Sequence, residues 1–480
     1  MISQQARWLY LVIALAITAS LGINLLLWPK EPYYTWGILN LLVLLGWIAV
    51  QPLRGVFLSI LLTGFIPQAP QEIGFGEIAF LAILGITLAS WLFKSLLHRR
   101  LILIAHPITG ALIALFAVFL LSMPVALMRG TTLYEWARGL APFAPLLVFF
   151  VVAAEARDKR VYRQLLWSFM LVGLWLSLQV FFTFWQERLW EPIPSSTGGL
   201  IYRRVTWIFA SSTSSSILAG ALIALVEALS EKSVMWKWIF WTIALLMGGA
   251  IILTFSRSEI AVLIMNFILI VGMMLTKRSN RSRLTLLVWS LSLIILLMAM
   301  IPISSVAGSI QARVQALVRT VENLVKSGSA SELGDVNIIY RLEEMRIALQ
   351  AFRECPFIGQ GLGYSFEIPS VEESGSSRPV KVQYIHNILA YFLMTTGLLG
   401  TTILLILIAA ALFVFMREYY RELSPEGERV LLASGIALLG LWLYGLFFAV
   451  FRTVAFNLFV GTALAIVTRY CLPKAVDRHR

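Results

Sequence analysis

The chain has 480 residues, 59% of them hydrophobic and only 13% charged, with a mean hydropathy of +0.84. A soluble domain carries close to twice that charged fraction, so a water-soluble globular protein is excluded. The net charge of +13 does not point to nucleic acid, because the same basic residues act as topology signals and as contacts for anionic lipid headgroups.

Apolar runs of membrane-spanning length recur along the sequence. In lipid only helices or closed barrels satisfy their backbone groups, and runs that are continuous rather than alternating predict helices. In chain order the spans fall near Trp8–Leu27, Tyr34–Val50, Leu53–Ile66, Gly76–Phe93, Pro107–Leu127, Leu140–Ala153 and Leu165–Phe184. They continue near Trp207–Leu229, Trp238–Leu253, Glu259–Leu275, Leu284–Ile303, His386–Phe415, Val430–Phe448 and Val454–Val467. The third and sixth are short enough to be broken or re-entrant, so the expected fold is all-α and polytopic, with about 12–14 transmembrane helices. The first span lacks a small-residue cleavage site and reads as retained.

Three parts follow from this pattern: membrane helices over 1–303, a loop over 304–385, and membrane helices with a tail over 386–480. The loop holds two amphipathic helical stretches. Ile310, Val314, Val318, Val321 and Val325 share a face in the first, and Leu342, Met345, Leu349 and Phe352 share one in the second. A breaker-rich stretch, Ser327–Asp335, separates them, and a polar stretch, Glu367–Pro379, follows and reads as a mobile flap.

With the N-terminus placed in the cytoplasm, more than half of the 38 Lys and Arg residues lie in inner segments. That excess obeys the positive-inside rule, so both termini are expected in the cytoplasm and the large loop outside. Cys355 then lies outside and Cys471 at the inner end, which separates the two cysteines.

Ionisable groups near membrane depth are costly and tend to be functional, which makes the outward ones informative. Of four histidines only His386 faces outward, at the start of the span after the loop. An imidazole there accepts a proton near neutral pH, or serves as a helix cap or interfacial anchor. Arg257, in the tight hairpin Thr254-Phe255-Ser256-Arg257-Ser258, can pair with phosphate oxygens beside a helix N-terminus, or snorkel to headgroups. Arg203 and Arg204 precede another span on the same side, and Arg452 occupies the last outer hairpin. Several outward arginines against one outward histidine suggest an anionic, phosphate-bearing ligand. Neither a paired-Asp motif nor a His/Asp/Glu cluster suggests a metal, and no Gly-x-x-x-x-Gly-Lys loop suggests a nucleotide.

These motifs together resemble the O-antigen ligase and polymerase superfamily of bacterial envelope glycosyltransferases. The resemblance rests on Arg204-Val205-Thr206, Ser256-Arg257-Ser258, the Cys355–Gly363 stretch with its Pro-x-x-Gly-x-Gly-x-Gly pattern, and His386-Asn387 followed by Thr396-Gly397-Leu398-Leu399-Gly400. Arg341 also fits, and the likeness runs from about Ile201 to the end. Trp207, Glu259 and Thr396 depart from the usual pattern.

The resemblance implies transfer of a glycan from an undecaprenyl-diphosphate carrier to a hydroxyl on a lipid, glycan or other acceptor. It places that chemistry on the outer face of the bacterial cytoplasmic membrane, with neither nucleotide nor metal cofactor. It implies that Arg204 and Arg257 hold the diphosphate and that His386 is the general base. Arg203, Arg341, Tyr384, Asn387 and Arg452 are the expected supporting residues. A repeat-unit polymerase of the same superfamily is the alternative. Outside it stand a flippase or transporter of an anionic lipid or solute, which spans nearly free of mid-depth charge disfavour, and a passive assembly scaffold.

Overall fold

The computed structural model describes residues 44–65, 75–97, 106–156, 158–187, 193–194, 200–201, 213–254, 257–277, 336–371, 377–421 and 423–471. Among them, nine helical stretches, one of them (Leu133–Glu155) interrupted by a 3-10 segment, are long and apolar enough to cross a membrane, and two more, Pro52–Leu62 and Val454–Tyr470, are apolar but shorter. The expected span Leu284–Ile303, the first amphipathic stretch of the loop and the span Trp8–Leu27 lie outside the described residues.

Helix α1 (Pro52–Leu62) leads into α2 (Phe75–Leu97) and α3 (Pro107–Met128). The expected sixth span is broken, with a physical cause. A Thr132/Glu135 capping box starts α4 (Leu133–Leu140), and Pro142 and Pro145 then hold Ala141–Leu147 as a 3-10 segment before α5 (Val148–Glu155) resumes.

Helix α6 (Lys159–Gln186) starts on an Asp158 cap. Two short strands, β1 (Ile193–Pro194) and β2 (Leu200–Ile201), pair antiparallel after it. Helix α7 (Thr213–Ser230) is buried along almost its whole length, packed by α6, by α8 (Val234–Leu253) and by α12 (Pro425–Gly445). Helices α9 (Arg257–Lys277) and α10 (Val336–Glu354) precede the hairpin β3 (Phe366–Val371) and β4 (Ser377–Val382). Helix α11 (Ile388–Tyr419), a 3-10 turn at Ala449–Arg452 and α13 (Val454–Tyr470) complete the described chain.

The polar stretch read as a flap lies within the hairpin β3–β4, registered from Phe366 opposite Val382 to Val371 opposite Ser377. In α10 the apolar stripe is turned away from the bundle: Leu342, Met345 and Leu349 are exposed, while Glu344, Ala348 and Ala351 are buried. The small side chains of Ala348 and Ala351 permit close approach to α11, which brings the polar Glu344 inward with them.

Helix α11 breaks at Gly397, whose φ is 63°. A break orphans backbone groups, and here a loop satisfies them. The N–H groups of Leu398 and Leu399 donate to the carbonyls of Pro356 and Phe357 at 2.8 and 3.1 Å. In return Gln360 and Gly361 donate to the carbonyls of Met394 and Thr395 at 2.8 and 2.9 Å. Gly359 also has positive φ, 74°, and a Cβ there would meet the Thr395 carbonyl carbon at 2.5 Å. A Cβ on Gly397 would meet the Phe357 carbonyl carbon at 2.5 Å. This clasp makes a prediction: Gly359→Ala and Gly397→Ala each lower stability by about 1–3 kcal/mol from backbone strain alone. Gly272, in α9, has nothing within 4 Å of its Cβ position, and its alanine variant should be near neutral. Equal thermal midpoints for all three variants in detergent would rule the clasp out.

The bundle has two chemically different ends. At one, Lys94 pairs with Glu155 at 2.7 Å, Arg163 with Glu227 at 3.2 Å, Arg429 with Glu231 at 2.7 Å and Arg421 with Glu418 at 2.9 Å. At the other lie the start of α9, the C-terminal end of α12, Arg452 and His386. His386 precedes α11 while Arg417 is in its last turn, so the histidine and the basic network occupy opposite ends of one 32-residue helix.

Candidate active site

Asn387, not His386, caps α11. Its Oδ1 accepts the Ala390 N–H at 3.0 Å and its amide donates to the Leu446 carbonyl at 3.0 Å. Both functions of that side chain are thereby used structurally, and the imidazole next to it is released from capping.

The imidazole meets a residue that sequence reasoning missed. His386 Nδ1 lies 2.6 Å from Glu344 Oε1, and the His386 backbone N–H donates to Glu344 Oε2 at 3.1 Å. The Glu344 side chain is 6% exposed and the His386 side chain 21%, so the carboxylate is sealed while the ring keeps an open edge. Arg341, one helical turn before Glu344, places Nη1 3.4 Å from Oε2. Burial pushes the Glu344 carboxyl up to about 7, and the Arg341 guanidinium opposes that rise. When Glu344 is ionised, its contacts favour the proton on Nδ1, which leaves the Nε2 lone pair free.

Aromatic rings frame this pair. Tyr384 meets His386 edge-on at 5.3 Å and Phe448 does so at 5.4 Å from α12's C-terminal side. The Arg341 guanidinium lies 5.9 Å from the Phe448 ring. Burial raises the Tyr384 hydroxyl above its ordinary value, so it remains a protonated donor. Arg452 donates from Nη1 to the Gln383 carbonyl at 2.7 Å and sits 5.6 Å from the Tyr391 ring, fixing the connection between β4 and α11.

The structure thus brings together His386, Arg341, Tyr384, Asn387 and Arg452 of the expected set and adds Glu344 and Phe448. Arg257 opens α9, and Arg203 and Arg204 lie outside the described residues, between β2 and α7. One local signal for Glu344 existed: its spacing of three from Arg341 on a helix places both on one face. Among the described residues, no group of three or more His, Cys, Asp or Glu side chains is placed to hold a metal ion.

The fold is that of an all-α polytopic membrane protein. The family described as O-antigen ligase matches residues 242–405, a segment that includes Arg257, Arg341, Glu344 and His386. The match covers 164 of the 480 residues and supports a likeness to the O-antigen ligase superfamily over that segment. No curated protein matches the chain.

Proposed function

We propose that this protein transfers a glycan from an undecaprenyl-diphosphate carrier to an acceptor hydroxyl on the outer face of the cytoplasmic membrane. The observation that carries the reading is the His386–Glu344–Arg341 constellation, at the bundle end opposite the basic network and inside the segment that matches the family. Under the positive-inside rule the basic end faces the cytoplasm, which puts His386 outside.

The chemistry needs one base and one cationic clamp. His386 Nε2 takes the proton of the acceptor hydroxyl as its oxygen attacks the anomeric carbon. The bond from that carbon to the diphosphate oxygen breaks, with inversion, and the carrier leaves as undecaprenyl diphosphate. Glu344 holds the ring through Nδ1 and stabilises the imidazolium that forms, the role a buried carboxylate plays beside a catalytic histidine elsewhere. Arg204 and Arg257 bind the diphosphate, and Arg341, whose guanidinium has donors left beyond its Glu344 contact, faces the same charge. A single displacement of this kind proceeds without a metal or nucleotide, and transfer to a lipid acceptor is the ligase form of it.

The test is direct. Purified protein incubated with lipid-linked oligosaccharide and acceptor lipid should yield the glycosylated acceptor and free undecaprenyl diphosphate, with chelator present throughout. A ladder of lengthening glycans would assign a polymerase instead. Movement of the intact donor across proteoliposomes with no new glycosidic bond would overturn the transfer reading.

A further inference from the structure

Glu259 is fully buried in the first turn of α9, two residues after Arg257. The base-and-clamp chemistry above has no use for it, and a carboxyl buried without purpose is costly. Its surroundings are built. Tyr444, near the end of α12, donates its hydroxyl to Glu259 Oε1 at 2.5 Å, and the hydroxyl of Thr254, the C-cap of α8, lies 3.1 Å from Oε2 and 2.7 Å from the Ile251 carbonyl. The Tyr444 hydroxyl also lies 3.3 Å from Ser214 Oγ, in the first turn of α7. One carboxyl therefore gathers the ends of four helices. Of these, α9 opens on Arg257 itself, two residues before Glu259.

The same tyrosine reaches the base. Its ring stacks on Phe448 with centroids 5.6 Å apart and planes 9° from parallel, and Phe448 is the ring that meets both His386 and the Arg341 guanidinium. Aromatic stacking at this separation transmits position through packed, nearly incompressible contacts.

We propose that Glu259 is a positioning residue: through Tyr444 and Phe448 it holds the start of α9, which carries Arg257, in one frame with His386. This rests on the glycan-transfer reading. It assigns a use to a residue at which the sequence departs from the family pattern.

The experiment uses the full chain in nanodiscs, with lipid-linked oligosaccharide and acceptor lipid as substrates. Tyr444→Phe keeps the ring stack and deletes only the hydroxyl, so it tests the link to Glu259 without emptying the core. It should lower kcat roughly 10–10²-fold, the cost of a small misplacement of reacting groups, with acceptor KM and thermal midpoint little changed. Glu259→Ala should lower kcat comparably. Glu259→Gln, whose amide oxygen still accepts from Tyr444, should recover most of the rate. Wild-type kcat in Tyr444→Phe overturns the inference, as does activity in every variant that merely tracks the fraction folded. His386→Ala separates the two levels. If it is inactive while Tyr444→Phe is fully active, only the positioning role falls; if it is fully active, the transfer mechanism falls and takes the positioning role with it.

Discussion

His386→Ala lowers glycan transfer by roughly 10²–10⁴-fold, the span that a positioned general base contributes. The loss is chemical and not structural, because Asn387 carries the α11 cap and the Leu446 contact, and neither depends on the imidazole. The variant therefore reaches the membrane, keeps its thermal midpoint and binds the lipid-linked donor through its arginines. Donor binding measured alongside turnover separates these properties. A variant that binds donor and also transfers at the wild-type rate would remove His386 from the mechanism.

The second large effect belongs to Glu344. Glu344→Gln should cost roughly 10²-fold or more, because one amide cannot satisfy the three donors that converge on this carboxylate. Its amide nitrogen must face the His386 backbone N–H, the Arg341 guanidinium or the Nδ1 proton. A pH profile gives the sharper readout. With the Glu344 carboxyl raised to about 7, acid protonates it, removes the acceptor for the Nδ1 proton and frees the ring to take the wrong tautomer. Turnover in the wild type should fall as pH drops through about 7, and in Glu344→Gln the limb that remains, from protonation of His386 itself, should change position. The midpoint belongs to the pair and not to either residue. Stability runs the other way. A carboxyl whose folded value is raised above its ordinary 4.5 favours the folded state most at low pH, and that contribution is lost as pH rises through about 7. Stability should therefore fall as pH rises from about 4.5 to about 7, while activity rises through about 7. A wild-type profile flat between pH 6 and 8, marks that bracket the value of about 7, would contradict the dyad.

Much of the architecture was legible because lipid imposes simple rules. The run beginning at Pro107 was expected to end at Leu127 and ends at Met128, and the sixth span was short enough to read as broken or re-entrant, a break that Pro142 and Pro145 explain. His386 was legible by elimination, as the one histidine away from the basic segments. Glu344 was not, because a glutamate beside Arg341 and Arg346 on a polar helix looks like an ordinary solvated ion pair. Its neighbour Glu343 is in fact that, paired with Arg346 at 2.6 Å. What sets Glu344 apart is its approach to a residue 42 positions away, a tertiary fact that local pattern does not encode. The stripe of Leu342, Met345 and Leu349 was legible as a shared face, but not which way that face turns. Apolar residues normally mark the buried face of a helix, but beside a membrane both faces can be apolar-facing, and small residues decided which one packs.

The clasp between the Pro356–Gly361 turn and the Gly397 break has a mechanical consequence. It follows directly upon α10 in sequence and is riveted by four backbone bonds into the helix that starts beside His386. Base and carboxylate are therefore mounted on a single stiff buckle, and neither can swing away without tearing those bonds. Such a pair is assembled before any substrate arrives and needs no reorganisation at each turnover, which is the condition under which fixed charges accelerate chemistry most.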